Sequence, residues 1–241
     1  MGKIAYLVGR SVDSRQRLLA NRIGLCENQS FLHLVPTRGK VMELEVDPQF
    51  WLRVRVDTLT RLIHKIFQEH LKYERFKDDK PIDDGLKLLL IKKILQTRAT
   101  QPDGLDYFAP LLSSTNEGMD FPGIYRTVSN FFSLLVRNNF QDRFIEDLAR
   151  RIIRLEEASP GAGEGRYALE SDLTWLFADF EEIKKELEIY DDDDVMSSVR
   201  SYLKACGIPH ILSLTYIIIL DGFIQISRVE EDILFHLFGQ V

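Results

Sequence analysis

Strand-like and helix-like patterns alternate over the first eighty residues of the chain. Short apolar runs of strand length lie at 4–8 and 31–36, and a run with alternating apolar and polar residues lies at 52–56. Apolar residues recur at helical spacing over 13–23 and again over 62–71. The order of strand, helix, strand and helix predicts a parallel α/β sheet flanked by helices.

The middle of the chain, from about 82 to about 205, has helical periodicity in nearly every segment. Four apolar stripes carry this pattern: Leu86, Leu89, Leu90, Ile94 and Leu95; Tyr125, Val128, Phe131, Phe132 and Leu135; Phe144, Leu148, Ile152 and Leu155; and Leu173, Leu176, Phe177, Phe180, Ile183 and Leu187. A strand-like run returns at 211–220, and 229–238 predicts a last helix. We therefore expect an α/β domain of residues 1–81 and 206–241, interrupted by an all-helical insertion of residues 82–205.

Composition narrows the class of protein. The 241 residues include 31 Lys and Arg against 37 Asp and Glu, a net charge of −6, with 45% hydrophobic residues. This balance is typical of a globular protein and argues against disorder, collagen-like repeats and a histone-like basic protein. Cys26 and Cys206 form no CxxC pair, so we expect neither a disulfide framework nor a zinc site. With no export signal or membrane span in view, these features predict a cytoplasmic protein.

The turn after the first predicted strand lies where P-loop proteins bind phosphate. Against the pattern GxxxxGK[ST], which would begin at Gly9 and Arg10, the lysine position holds Arg15 and the hydroxyl position holds Gln16. A planar guanidinium does not replace a compact ammonium, and Gln16 has no hydroxyl for Mg²⁺. The candidate nucleotide site is therefore a degenerate Walker A loop.

A second nucleotide-related position follows the late strand, at Asp221. P-loop enzymes place a Mg²⁺-binding carboxylate at the end of such a strand. The next residue is Gly222, where a helicase normally has a glutamate that activates water. We expect a P-loop NTPase-like fold with no catalytic residues, no metal site and no bound cofactor. Binding of ATP with Mg²⁺ through the unorthodox loop is the alternative.

Basic and hydroxyl side chains gather where predicted strands end and helices begin. Arg53, Arg55, Arg61 and Lys65 surround one such junction, and Thr37 and Arg38 follow another. Open α/β sheets bind ligands at the carboxyl ends of their strands, and arginines there can hold the phosphates of a single strand. The candidate DNA-binding residues are Thr37, Arg38, Arg53, Thr58 and Arg61. Ordinary surface charge is the other interpretation.

Four consecutive acids, Asp191 to Asp194, precede a helical stripe. Their side chains should point in different directions, which argues against a metal site. Acidic residues suit a helix N-terminus electrostatically. We expect a helix to begin here with its carboxylates in solvent.

Taken in order, several segments resemble one family: Gly9-Arg10-Ser11, Leu34-Val35-Pro36-Thr37, Val56 to Leu62, Leu173-Thr174-Trp175-Leu176-Phe177, and Ile219 to Phe223. The chain is similar to the N-terminal region of the AddB-like proteins of bacterial ATP-dependent helicase–exonucleases. The resemblance implies a superfamily-one helicase-like domain with an inserted helical subdomain. In that family this region is largely a non-motor scaffold for DNA repair and recombination, which scans single-stranded DNA beside a motor subunit.

The resemblance covers nearly the whole chain. Members of the family are longer and have a C-terminal nuclease domain with an iron–sulfur cluster, whose cysteine quartet this sequence lacks. We therefore expect this chain to be a fragment that has no activity itself, of a parent that belongs to an ATP-dependent exonuclease.

Three functions stay open at the level of sequence. The leading hypothesis is a catalytically inactive helicase-like scaffold that holds single-stranded DNA and a partner motor subunit, with no membrane association. The alternatives are a helicase domain that binds or hydrolyses ATP, and a protein-interaction module without a ligand.

Overall fold

The computed structural model describes residues 31–45, 54–72, 76–101, 104–113, 122–140, 147, 168–207, 209, 212, 217–223 and 225–238. The strands described are β1 (Phe31–Val35), β2 (Val54–Thr58), β3 (Lys80–Pro81), β4 (Ile189–Tyr190) and β5 (Ile217–Leu220). The helices described are α1 (Arg38–Glu45), α2 (Leu59–His70), α3 (Asp84–Ala99), α4 (Phe108–Ser113), α5 (Pro122–Arg137), α6 (Ala168–Glu186), α7 (Asp192–Cys206) and α8 (Arg228–Phe238). The predicted strand at 4–8, helix at 13–23 and stripe from Phe144 to Leu155 lie outside these residues, apart from Asp147.

The chain divides into two compact units. Unit 1 comprises Met1–Arg75 and Val195–Val241, and unit 2 comprises Phe76–Asp194. A segment of more than a hundred residues is thus inserted between two parts of unit 1. The inserted segment begins before β3 and ends within the first turn of α7.

Unit 1 contains a parallel sheet with the strand order β2-β1-β5. Val35 at the end of β1 is aligned with Thr58 of β2, and Leu34 is aligned with Leu220 of β5. Leu32, Leu34 and Val35 of the central strand are buried. The prediction of a parallel α/β arrangement flanked by helices is confirmed for these strands. The strand expected at 52–56 was observed at Val54–Thr58.

Helix α2 follows β2 without a loop. Thr58 ends the strand and also caps the helix, since its side chain accepts a hydrogen bond from the Arg61 amide. The predicted apolar stripe of α2 is buried throughout: Leu62, Ile63, Ile66, Phe67 and Leu71. Helix α8 begins with a capping box, in which Ser227 and Glu230 each bind the other's backbone N–H.

Unit 2 is built from helices around one apolar core. Helices α3, α4, α5 and α6 contribute its buried residues, with Phe132 packed against Phe177 and Phe180 at ring-centroid distances of 5.2 and 5.6 Å. The stripes predicted on α5 and α6 supply most of this core. A short parallel pair, β3 and β4, aligns Lys80 with Ile189 and Pro81 with Tyr190.

The stripe predicted on α3 is wrong in part. Leu86 and Leu89 are 43% and 62% exposed, whereas Ile94 and Leu95 are buried as expected. The buried face runs through Lys87, four residues before Ile91. A lysine therefore occupies a position at which the spacing of the helix calls for an apolar side chain.

Candidate functional site

The carboxyl ends of the three strands of unit 1 bring sequence-predicted residues to one edge of the sheet. Thr58 and Asp221 lie on either side of Val35, since Thr58 is aligned with it and Asp221 follows Leu220. The Asp221 amide donates to the Leu34 carbonyl at 3.0 Å, which continues the strand alignment by one residue. Two strand spacings separate Thr58 from Asp221, or about 10 Å. Thr37 follows β1 at the same edge.

Two helices begin at this edge of the sheet. Arg38 is the first residue of α1, and the Thr37 hydroxyl accepts from the Lys40 amide at 3.4 Å. Arg61 lies in the first turn of α2, where the Thr58 hydroxyl accepts from its amide at 3.2 Å. The amide groups and the helix dipole at such N-termini favour anions.

Asp57 organises the basic side chains beside β2. It is 1% exposed. Lys65 Nζ lies 2.5 Å from its Oδ2, Arg61 Nε lies 3.7 Å from its Oδ1, and Arg55 is the third cation, at 3.9 Å. Arg61 nonetheless keeps 64% of its side chain exposed. The buried carboxylate thus lies beside this guanidinium, while most of the Arg61 side chain stays in solvent.

A buried histidine lies next to Asp221. His33 of β1 is fully buried, and its Nε2 is 3.5 Å from Asp221 Oδ2. Within the described part of the chain neither of its ring nitrogens, Nδ1 or Nε2, has a hydrogen-bond partner. Burial lowers the pKa of His33 by more than Asp221 raises it. The imidazole is therefore neutral when folded, and it lies beside the Asp221 carboxylate without a hydrogen bond of good geometry.

The remaining predicted site residues lie outside the described residues. These are Gly9, Arg10, Arg15, Gln16 and Arg53. The structure therefore brings together Thr37, Arg38, Thr58, Arg61 and Asp221, the members of the two predicted sets that it describes.

The acidic run in unit 2 is not the solvated helix start that the sequence led us to expect. A helix does begin at Asp192, but Asp191 and Asp193 are 5% and 3% exposed. Asp191 accepts from the amides of Asp193 and Asp194, and Asp194 accepts from the amide of Asp191 at 3.0 Å. This reciprocal pair is a capping box. Asp192 stays exposed, and the Asp194 side chain is 27% exposed.

Two buried lysines neutralise these carboxylates. Lys87 Nζ is 2.7 Å from both Asp191 Oδ2 and Asp193 Oδ2. Lys184 Nζ is 2.9 Å from both carboxylate oxygens of Asp194. Each lysine side chain is about 95% buried, and both amines face the ring of Phe180, at 5.7 and 5.0 Å from its centroid. We call this group the buried charge cluster; it consists of Lys87, Ser133, Arg137, Glu181, Lys184, Asp191, Asp193 and Asp194. Its margin is open to solvent, since the side chains of Arg137, Glu181 and Asp194 are 40%, 32% and 27% exposed.

The cluster shifts the pKa values of its members in opposite directions. Burial alone would raise the pKa of Asp193, but Lys87, Ser133 and Arg137 outweigh it and hold that pKa at about 2. For Asp194, burial and the neighbouring Asp191 outweigh Lys184 and raise the pKa to about 6. Burial lowers the pKa of both lysines, but the nearby carboxylates raise it by more. The pKa values of Lys87 and Lys184 therefore lie above the ordinary value for lysine.

Sequence reasoning missed the lysines of this cluster, although a signal for them exists. Lys87 shares the spacing of Ile91 and Ile94, and Lys184 lies four residues after Phe180 on the face that includes Leu173 and Phe177. A lysine in register with a buried stripe, combined with an acidic run elsewhere in the same segment, indicates a buried ion pair.

Comparison with known proteins gives no family for this chain. No protein-family model and no curated protein sequence matches it. The assignment of function therefore depends on the residues themselves.

Two further properties bear on the class of site. Among the described residues, no group of three or more His, Cys, Asp or Glu side chains is arranged to hold a metal ion. In the same part of the chain, none of the helices combines the length and the apolar character needed to span a bilayer.

Proposed function

We propose that this chain is a catalytically inactive, helicase-like scaffold that holds single-stranded DNA at the carboxyl edge of its parallel sheet. A partner motor subunit supplies the translocation in this proposal. The motor partner and the role in DNA repair come from the resemblance to the AddB-like proteins of helicase–exonucleases. The DNA-binding role is supported by the chemistry of the edge.

One observation carries the proposal: the strand alignment puts Thr37, Arg38, Thr58 and Arg61 at the same edge. The guanidinium groups offer charged hydrogen bonds to phosphate, and the hydroxyl groups and helix N-termini offer neutral ones. Contacts of this kind follow a backbone without reading its bases. Binding that is independent of sequence is what a scaffold for a translocating strand requires.

The charge of the chain restricts how DNA binds. A net charge of −6 repels a polyanion over the surface as a whole. Asp57 and Asp221 also lie at or near the edge. Affinity must therefore come from local contacts to a few phosphates, so we expect moderate affinity with a shallow salt dependence.

The experiment is fluorescence anisotropy of a labelled, mixed-sequence single strand, titrated with wild type and with the double variant Arg38→Ala/Arg61→Ala at several salt concentrations. Loss of two phosphate contacts should weaken binding and reduce the salt slope by roughly 1.4, at about 0.7 per contact. The matched control is Lys72→Ala. Lys72 lies just past the other end of α2, about 16 Å along the helix axis from Arg61.

Equal losses in the double variant and in Lys72→Ala would show that binding is nonspecific surface attraction. Unchanged binding in the double variant would remove the edge from the proposal and favour a protein-interaction module. In both cases circular dichroism of each variant verifies that the fold is intact.

A further inference from the structure

A groove of about 700 Å³ lies between α3 and α5 in unit 2. Its volume is within the range of small-molecule sites. The α5 wall of the groove is one helical face, on which polar side chains recur at intervals of three and four residues: Arg126, Ser129, Asn130, Ser133 and Arg137. Another face of the same helix belongs to the apolar core of the unit.

Helix α5 carries charge of one sign only. Its 16 residues include two arginines and neither aspartate nor glutamate, although the whole chain has more acidic than basic residues. The guanidinium, amide and hydroxyl groups of the α5 wall all donate hydrogen bonds. Asp84, on the α3 wall, is the one carboxylate among the described residues that line the groove.

The two helices are antiparallel at this groove. Lys87, near the start of α3, donates to Ser133 near the end of α5, at 3.1 Å. Lys92, further along α3, has its Nζ 5.8 Å from the ring centroid of Tyr125 near the start of α5. Asp84, in the first turn of α3, therefore belongs to the end of the groove where α5 finishes.

The arginines at the two ends differ in their surroundings. At the end of α5, Arg137 Nε donates to the buried Asp193 at 2.8 Å, and Asp84 adds a second negative charge. Arg126 at the other end is exposed, and no carboxylate pairs with it in the part of the chain that the structure describes. The ammonium of Lys92 brings another positive charge to that end. An anion is therefore favoured near Arg126 and disfavoured near Arg137.

Apolar side chains also line this groove. Leu88 lies on the α3 wall and Leu134 on the α5 wall, and Leu134 is 59% exposed. Small-molecule sites commonly combine an apolar surface with a few polar groups that fix the orientation of the ligand. The groove thus offers donors for an anion together with an apolar surface for an organic group.

We propose that the groove between α3 and α5 binds a small phosphate ester, whose phosphate is held by Arg126, Ser129 and Asn130. The organic part of the ester lies against Leu88 and Leu134. This site does not depend on the DNA-binding edge of unit 1, and its ligand is a small molecule rather than a nucleic acid.

The test is an NMR titration of the ¹⁵N-labelled full chain with phenyl phosphate and with inorganic phosphate, at about pH 8, where both probes are dianions. Both should give saturable shifts of the α5 amides around Arg126. Phenyl phosphate should bind about fivefold more tightly, because its ring covers apolar surface. Absence of saturable shifts in this region would overturn the proposal.

Two substitutions separate the parts of the site. Arg126→Gln should weaken binding of both probes roughly tenfold, since it removes a charged hydrogen bond. Leu134→Ala should remove the preference for phenyl phosphate and leave inorganic phosphate unchanged. The matched control is Lys185→Gln, which removes an exposed cation of α6 in the same unit and should change neither affinity. Equal affinities in Arg126→Gln and wild type would contradict the site.

Two further arms locate the ligand and define its class. The double variant Arg38→Ala/Arg61→Ala should bind phenyl phosphate as the wild type does, whereas a loss there would assign the phosphate to the edge of unit 1 and overturn the groove. A mixed-sequence single strand is the last probe. If it shifts the same α5 amides at lower concentration than phenyl phosphate, and Arg126→Gln abolishes the effect, the groove belongs to DNA and the small-molecule proposal is wrong.

Discussion

A buried lysine keeps its charge only where carboxylates replace its lost water, and unit 2 contains two such residues. Lys87 and Lys184 both contact the ring of Phe180, in the middle of an apolar core. Desolvation opposes their charge, but hydrogen-bonded aspartates outweigh it. Buried pairs of this kind contribute little net stability when complete, because desolvation offsets attraction, but removing one partner is costly.

Lys87→Ala should therefore destabilise the protein by about 3–5 kcal/mol, because it leaves Asp191 and Asp193 buried with too few cations. Urea unfolding monitored by circular dichroism measures this change. The matched control is Lys93→Ala on the same helix, where the side chain is exposed and the expected change is within about 0.5 kcal/mol. A loss below about 1 kcal/mol for Lys87→Ala would mean that water reaches the cluster.

At the scale of elements, a side chain of one helix in unit 2 accepts hydrogen bonds from the backbone amides where another helix begins. Helix α4 has only six residues, and a side chain of another helix binds the amide of its first residue and the amides of the two residues before it. Asp172 of α6 accepts hydrogen bonds from the amides of Asp106, Tyr107 and Phe108 at 3.1, 2.9 and 3.0 Å. Asp172 is 3% exposed, and burial raises its pKa despite these three bonds. A short helix is thereby fixed by a residue more than sixty positions away.

Asp172→Ala should destabilise the protein by about 2 kcal/mol, since buried amides lose their acceptor. Asp172→Asn keeps an acceptor oxygen and should recover part of that loss. Glu186→Ala, an exposed position on the same helix, should change stability by less than about 0.5 kcal/mol. Denaturant unfolding of the three variants checks the order, and an equal loss in Asp172→Ala and Glu186→Ala would contradict the capping role.

At the scale of the whole molecule, the two units place their polar groups differently. Unit 1 places polar groups at the open edge of a parallel sheet, where a ligand can reach them. Unit 2 encloses its buried lysines and their aspartates in a helical core. In the scaffold proposal DNA contacts therefore concentrate on unit 1.

The scaffold proposal also predicts that the chain does not hydrolyse ATP. The sequence has Arg15 in the lysine position, Gln16 in the hydroxyl position and Gly222 where a catalytic base would follow Asp221. Loss of a single electrostatic group typically reduces a rate by about a hundredfold or more. Phosphate release with Mg²⁺ and single-stranded DNA should equal the background in wild type, Arg15→Ala and Asp221→Ala. Turnover that either substitution abolishes would instead support an unorthodox NTPase.

The sequence by itself predicted the described strands of unit 1 and the helices α2 and α8, but not α1 (Arg38–Glu45) between β1 and β2. Short apolar runs predicted the strands at 31–36 and 211–220, and the stripe from Leu62 to Leu71 predicted α2, because local periodicity selects strand or helix wherever one face is buried. Position after a strand also indicated that Thr37, Arg38 and Thr58, with Arg61, share one edge, since parallel strands end together.

Only the tertiary structure decided the state of the charges. The acidic run by itself does not distinguish solvated carboxylates from buried ones, because the choice depends on cations contributed by distant residues. Lys87 is more than a hundred residues from the aspartates that it neutralises, and its burial leaves Leu86 and Leu89 exposed. A pairing across such a separation forms when helices pack, and packing rather than local spacing therefore turned an acidic helix start into a buried charge cluster.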